Sequence, residues 1–331
     1  MTAIRWETGE RLSPLHAARC WAAGIPAIDA AVARAIADPV SRLTERLAAA
    51  EVDLAIFWRR LVAASAALGS GPAAGSGAAA GLAGHDLEAC RIALTASGVG
   101  ELTLDGIASA AGSLLAETRL AYQEHFPKLP QQLPLRGRPL REQWEAYGPG
   151  LLRRTGVLTH ESFIPRSVNV LWLSPYRGGD GDCDPPSRTL WVEAVLTNPV
   201  PTVPEVLRLA WLIARVGATA KMLPTPPTDH HGGESFRRSA EVLSLALLPV
   251  VLEAAAYLEL VPSPGESPEL IAAAIEAWNG PTAATLPQTL AGWWAQTCEL
   301  KPAFPIALKA LDKMLEGQPN GASGRSAGES P

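Results

Sequence analysis

The sequence predicts a mainly α-helical protein of the α+β class, with an N-terminal helical bundle followed by a helical domain that contains one antiparallel β-hairpin. Long segments repeat apolar residues at the three- and four-residue spacing of a helix that buries one face. One region, 167–196, instead holds two runs rich in β-branched and aromatic residues, separated by glycine and proline. The 331 residues also exceed the size at which one core usually keeps growing, so we expect two domains.

The N-terminal domain is predicted over 1–126. Asp38 followed by Pro39 favours a helix start, because an Asp side chain can accept from free amides and proline suits the first helical turn. A heptad-like apolar stripe follows, formed by Leu43, Leu47, Ala50, Leu54, Phe57 and Leu61. The stripe packs either on a second long helix, predicted over 102–125, or on its own copy in a homodimer through the 43–61 helix.

Three segments read as connectors or tails. Residues 69–84 are almost all Gly, Ala and Ser, which predicts a flexible linker inside the first domain. Residues 127–140 repeat proline every few positions, which favours an extended connector between the domains; a ligand for a proline-binding module is the alternative. The tail, 317–331, is rich in Gly and Ser and is expected to be disordered.

The second domain is predicted over 141–316. A short helix at 141–146 is expected to stop at the Gly-Pro-Gly of 148–150. The string REQWEAYGPGLL, Arg141–Leu152, resembles a segment of an uncharacterised bacterial protein family; that family has no assigned activity, so the resemblance implies no site residue.

The strands of this domain, 167–173 and 188–196, are expected to pair antiparallel as the hairpin at 167–196. Thr202 and Glu205 have the spacing of a capping box that opens the next helix. Two apolar helices, 234–247 and 249–260, should form the core, followed by helices near 267–278, 286–297 and 304–316.

Composition excludes several function classes. The net charge is -5, and no long block of Lys and Arg exists to bind phosphates, so nucleic-acid binding is not expected. The four cysteines are scattered without a Cys-x-x-Cys pair, and the N-terminus lacks the apolar core of a signal peptide. The longest apolar run, 243–261, contains one proline and two glutamates, which argues against a membrane span. Together with an Arg- and Ala-rich bias, these features predict a cytoplasmic bacterial protein.

Two short segments hold candidate ligands for a divalent metal. Asp229, His230, His231 and Glu234 form the densest group of metal-binding or acid–base side chains, although the simpler and favoured interpretation is a solvated loop with Glu234 at the next helix N-terminus. The loop 178–184 places three aspartates at alternate positions, as calcium loops do, but it lacks the Gly and Glu of an EF-hand. The simpler interpretation of this loop is a polar turn.

Two hypotheses for function follow. The first is a non-catalytic interaction or adaptor protein, with Arg208, Trp211 and Arg215 on one helix face as the contact with a protein partner. The second is a metal-assisted, hydrolase-like enzyme with a site near the 180–184 and 229–234 loops. The nucleotide-binding patterns Gly-x-x-x-x-Gly-Lys and Gly-x-Gly-x-x-Gly are absent from the expected places, so no cofactor is evident besides a metal ion.

Overall fold

The computed structural model describes residues 2–69, 78–223, 230–265, 267–280 and 283–316, with the backbone alone for 78–83 and 230–234. Over these residues the chain forms eleven α-helices and one four-stranded sheet, which establishes the mainly helical α+β class. The strands are β1 (Ala3–Thr8), β2 (Ser167–Leu173), β3 (Gly181–Asp184) and β4 (Thr189–Glu193). The helices are α1 (Leu12–Ala22), α2 (Ala30–Ala49), α3 (Leu54–Gly69), α4 (Ala78–Ala96), α5 (Glu101–His125), α6 (Leu129–Leu158), α7 (Glu205–Met222), α8 (His230–Tyr257), α9 (Pro268–Asn279), α10 (Leu286–Leu300) and α11 (Phe304–Glu316).

The chain divides into two compact units. The first comprises Met1–Pro149 and Pro165–Pro199, and the second comprises Gly150–Ile164 and Val200–Pro331. The whole sheet therefore belongs to the first unit, whereas the sequence interpretation placed its strands in the second domain.

The sheet has the order β1-β2-β4-β3. β2 pairs with β4 in parallel, so the predicted antiparallel pairing of 167–173 with 188–196 is wrong. The hairpin in this region is formed instead by β3 and β4, because the aspartate-rich segment, interpreted as a turn, forms a strand of its own. β1, which the sequence interpretation did not include, adds a further parallel strand beside β2.

The predicted long helix at the apolar stripe is two helices. Glu51 adopts a left-handed backbone conformation with φ of 56°, which ends α2, and Asp53 caps α3 by accepting from the Ile56 amide at 2.9 Å. Four members of the stripe are fully buried inside the chain, namely Leu43, Leu47, Phe57 and Leu61. These four residues are therefore part of the core of the first unit, while Ala50 and Leu54 are half-buried, and a homodimer through the 43–61 helix stays a prediction. The second long helix, α5, is present as predicted and packs on α2.

Two predicted connectors are helical where they are described. Residues 78–84 belong to α4, while residues 70–77 of the expected linker, like the tail 317–331, lie outside the described residues. The proline-rich stretch 127–140 falls mostly in α6, which also continues through the predicted stop at 148–150 and contains Pro134, Pro139 and Pro149. Leu133 and Leu140 on this helix are buried, and that burial offsets the amides that the prolines remove.

In the second unit, α7 and α8 pack together and supply most of the core. α7 begins at Glu205 after Pro204 as N-cap, so the predicted capping box with Thr202 does not form. α8 is one helix through Pro249 rather than the two predicted. Its segment Ser235–Tyr257 is long and apolar enough to cross a membrane, but most of that stretch is buried in the folded chain, as is typical of a core helix.

Candidate metal centre

A group of ionisable side chains from α1 and the sheet meets inside the first unit. We call His16, Arg19, Cys20, Asp180 and Glu193 the α1 cluster. His16 and Cys20 are one turn apart on α1, so both project from the same face of that helix. Asp180 directly precedes β3 and Glu193 ends β4. His16 and Cys20 are 0% exposed, and the two acids are also buried.

Three atoms of the cluster form a nearly equilateral triangle. His16 Nε2 lies 3.8 Å from Cys20 Sγ, which lies 3.9 Å from Asp180 Oδ2. The third side, from Asp180 Oδ2 to His16 Nε2, measures 4.0 Å. A point at the centre of such a triangle is about 2.3 Å from each atom, close to the bond lengths of zinc to sulfur, nitrogen and oxygen ligands. The side chains are therefore spaced for a single metal ion.

Glu193 is held by a dense set of donors. His16 Nε2 is 2.8 Å from its Oε1. Its two oxygens also accept hydrogen bonds of 2.7 to 3.0 Å from four consecutive backbone amides, those of Tyr176, Arg177, Gly178 and Gly179. Burial alone would raise the pKa of Glu193, but the hydrogen bond and charge of His16, together with these amides, lower it to about 2. Glu193 is therefore a buried carboxylate anion.

The loop that wraps Glu193 depends on glycine. Gly178 and Gly179 have φ values of 88° and 129°, which side chains rarely adopt. Successive amides in such a turn point into one concavity and make an anion-binding nest, here filled by the protein's own carboxylate. The nest fixes Glu193 relative to α1.

Arg19 occupies the side of the cluster nearest solvent. Its guanidinium donates to Asp180 Oδ2 at 2.5 Å and lies 3.9 Å from Cys20 Sγ. Burial alone would lower the pKa of Arg19, but the charge of Asp180 raises it, so the guanidinium is permanently charged. Asp180 Oδ1 accepts from the Gly181 amide at 2.8 Å. Asp180 thus holds one permanent cation and has an oxygen at the metal triangle.

Two polar atoms in the cluster have no hydrogen-bond partner in the described part of the chain. They are His16 Nδ1 and Arg19 Nε, both inaccessible to solvent. Burial alone would lower the pKa of His16, but the sulfur of Cys20 and the carboxylate of Glu193 raise it to about 10. A charged imidazolium has two N–H groups, and here only the one on Nε2 has an acceptor. The Nδ1 side of His16 therefore has no acceptor among the described residues.

The structure brings one of the predicted metal-ligand segments into this cluster and leaves the other undecided. Asp180 is a member, whereas Asp182 and Asp184 accept from the nearby amides of Cys183 and Ser187, as turn residues do. Asp229 lies outside the described residues.

His230, His231 and Glu234 begin α8, but their side chains are not described. A metal site formed by Asp229, His230, His231 and Glu234 therefore stays a prediction.

The predicted contact surface on α7 is wrong for two of its three residues. Arg208 and Trp211 are buried, because α7 is covered by other helices of the second unit. Trp211 Nε1 donates to the Ser244 carbonyl at 2.9 Å. Arg215 is half-buried with its guanidinium 4.6 Å from the Trp211 ring centre, so Arg208 and Trp211 pack within the unit and Arg215 alone of the three keeps exposed surface.

His16, Cys20 and Glu193 were not among the sequence-predicted site residues. A signal existed for the first two, since a histidine and a cysteine four residues apart share one face of a helix. A signal also existed for Glu193, the one charged residue in the buried strand Thr189–Glu193, because a buried charge requires a partner. Neither signal identifies the opposite side of the site.

Comparison with known proteins gives no relative from which function could be transferred: no protein-family model, curated protein or solved structure matches the chain. The local geometry therefore carries the functional argument.

Proposed function

We propose that this is a non-catalytic protein whose first unit binds one divalent transition-metal ion through His16, Cys20 and Asp180, with zinc as the ion that the donors fit best. The observation that carries the proposal is the triangle of ligand atoms with sides of 3.8, 3.9 and 4.0 Å. Imidazole, thiolate and carboxylate are all zinc ligands, and the softness of the thiolate disfavours magnesium and calcium. Glu193 Oε1, 2.8 Å from His16 Nε2, is the nearest candidate for a fourth ligand.

A divalent ion can bind in this cluster without changing the net charge of the buried set, which is also zero when His16 and Cys20 are protonated. With a deprotonated Cys20, the cluster contains three anions, Cys20, Asp180 and Glu193, and one permanent cation, Arg19. A divalent ion that replaces the protons of His16 and Cys20 makes the buried set neutral, which is the condition for burying charges at low cost. Metal binding at this site should accordingly release protons.

Burial of the ligands favours a structural role for the ion. Catalytic zinc sites keep one position open to water or substrate, whereas structural sites are closed by protein ligands. Because His16 and Cys20 have no exposed surface, an ion here would cross-link α1 to the 174–180 loop and to β4. We place this function in the cytoplasm, where free thiols persist, since all four cysteines are unpaired. A stabilised scaffold of this kind suits an adaptor better than the alternative, a metal-assisted hydrolase.

The test is metal loading of the purified, chelator-stripped protein. We expect one Co²⁺ or Zn²⁺ per chain, a thiolate-to-cobalt charge-transfer band, and a rise in the melting temperature with added Zn²⁺. At a Zn²⁺ concentration of about 100 times Kd, the ion should add about 2.7 kcal/mol to the free energy of unfolding. Cys20→Ser should abolish the charge-transfer band, and Asp180→Asn should weaken binding.

The matched control is Cys298→Ser, because Cys298 is the exposed cysteine and lies outside the cluster. This variant should keep both the band and the thermal shift. Metal content at background for the wild type, or a band that survives Cys20→Ser and disappears in Cys298→Ser, would overturn the proposal. If Cys20→Ser does not fold, the wild-type stoichiometry and the Cys298→Ser spectrum still decide the question.

A further inference from the structure

The outer edge of β1 is an open row of backbone hydrogen-bonding groups. β1 is at one end of the sheet and, over the described residues, pairs only with β2. The amides of Ala3 and Gly9 donate to carbonyls of the segment that contains β2, so the odd-numbered residues of β1 face that strand. The N–H and C=O groups of Ile4, Trp6 and Thr8 therefore point to the free edge.

We propose that this edge binds the same edge of a second copy of the chain, in an antiparallel register centred on Trp6. Only residues whose N–H and C=O groups point outward can form hydrogen-bonded pairs between the two copies. These residues alternate along β1, so the possible registers are shifted from one another by two residues. In the centred register, Trp6 pairs with Trp6 of the second copy, and Ile4 pairs with Thr8 in both directions. All three outward-facing residues of each copy are then used, in a closed twofold arrangement.

Charge selects this register. In the centred register, Arg5 of each copy lies opposite Glu7 of the other, at the positions where cross-strand side chains approach most closely. A shift of two residues in one direction places Arg5 opposite Arg5, and a shift in the other direction places Glu7 opposite Glu7. Both shifted registers set like charges against each other, which is destabilising. Of these three registers, only the centred one sets opposite charges against each other.

Along this edge Arg5 and Thr8 are exposed, and Ile4, Trp6 and Glu7 are half-buried. The Arg5 side chain is 69% exposed and already lies 2.6 Å from Glu7 of its own chain, so the two copies would form a ring of four alternating charges. On the opposite face, Trp6 stacks on Trp172 with ring centres 4.7 Å apart, which fixes the centre of the strand. β1 contains no proline, one of the devices that protect free edges. This interface shares no residue with the 43–61 stripe or with the α1 cluster.

The experiment measures mass in solution by light scattering for the full chain and its charge variants. The wild type should reach twice the 34.8 kDa of one chain as its concentration rises, with or without a chelator. Arg5→Glu and Glu7→Arg alone should each remain monomeric, because every cross-strand pair becomes a like-charge pair. An equimolar mixture of these two variants should form heterodimers, and the double variant Arg5→Glu with Glu7→Arg should dimerise again.

A wild type that stays monomeric at all concentrations overturns the proposal, as do single variants that dimerise like the wild type. A double variant that stays monomeric while its circular dichroism is native would contradict the register. Measuring the mass with and without a chelator separates dimerisation from metal binding, since the edge and the cluster share no residue.

Discussion

Two groups of arginine and carboxylate side chains, the α7 pair of the second unit and the α1 cluster of the first, differ in how completely their nitrogens are satisfied. Arg208 and Glu205 come from one turn of α7, and two guanidinium nitrogens donate to the two carboxylate oxygens at 2.8 and 3.0 Å. The third nitrogen donates to the Ala277 carbonyl at 2.9 Å. In the first unit, Arg19 and His16 meet Asp180 and Glu193 from separate segments, and one nitrogen of each basic side chain is left without an acceptor.

The difference distinguishes a packing interaction from a site. A buried ion pair needs all its polar atoms satisfied to offset the loss of hydration, and the α7 pair meets that requirement together with the Ala277 carbonyl. The α1 cluster has charge balance but incomplete hydrogen bonding, and it adds a thiol at the distance of a metal ligand. An ion bound at His16 Nε2 would leave His16 Nδ1 and Arg19 Nε without acceptors, so it is the spacing of the three ligand atoms that supports an ion. The predictions below test whether the two regions differ in this way.

The largest effect is expected for Glu193→Gln. The substitution removes the charge opposite His16 and presents an NH₂ group to amides that need an acceptor, which should cost about 3–5 kcal/mol. Hydrogen exchange by mass spectrometry, read in peptides from α1 and β4, measures the loss in the first unit. The control is Glu45→Gln, an exposed acid of the same unit, which should leave exchange unchanged. Native protection in Glu193→Gln would show that the nest does not hold the sheet to α1.

The paired replacement of Glu205 by Leu and Arg208 by Met should separate the two regions. Glu205→Leu alone leaves a buried, uncompensated guanidinium and should cost about 3–5 kcal/mol, but the double variant should return to within about 1–2 kcal/mol of the wild type. The matching double variant of the first unit, His16→Leu with Glu193→Leu, should not recover, because four backbone amides lose their acceptor. Urea unfolding measures the free energy of unfolding of each variant. If both double variants recover stability equally, the α7 pair and the α1 cluster do not differ in this way.

A smaller effect is expected at the glycines of the nest. Gly178→Ala places a methyl group 3.0 Å from Ile28 at a φ of 88°, and it should lower the free energy of unfolding by about 2 kcal/mol. Gly24 has a φ of 69°, and open space surrounds the carbon that an alanine would add. Gly24→Ala therefore measures the cost of the backbone conformation alone, which should be about 1 kcal/mol. Thermal unfolding compares them. A Gly24 variant as unstable as the Gly178 variant would show that the nest tolerates substitution.

Sequence patterns predicted the helices whose apolar spacing is regular, such as α5, α9 and α11, and they located β2 and β4. They did not predict strand direction, because parallel or antiparallel pairing depends on how the chain returns to the sheet and not on the residues of either strand. They also failed at α6, where the repeated prolines of 127–140 indicate an extended segment but burial of Leu133 and Leu140 favours the helix. Local propensity was overruled by packing.

Sequence patterns predicted less of the candidate site than of the fold. His16 and Cys20 share a helix face, and this pairing is readable from their spacing. Asp180 and Glu193, however, are more than 150 residues further along the chain, and only the parallel pairing of β2 with β4 brings them to α1. The one part of the site that sequence reasoning had selected was the aspartate loop, and Asp180 is its member in the cluster.

The smallest effect is expected for an ion pair that is neither buried nor part of a network. Arg141 and Glu145 are one turn apart on α6, 2.9 Å from each other, with both side chains more than half exposed. Solvent screens such pairs, and ordering two long side chains costs entropy, so Arg141→Ala should change the free energy of unfolding by only about 0.3–0.5 kcal/mol. Urea unfolding at low and at high salt checks this, because salt should abolish the difference. A loss as large as that of Glu193→Gln would mean that exposure does not separate the two kinds of ion pair, and the contrast between an incomplete buried cluster and ordinary charge pairing would fail.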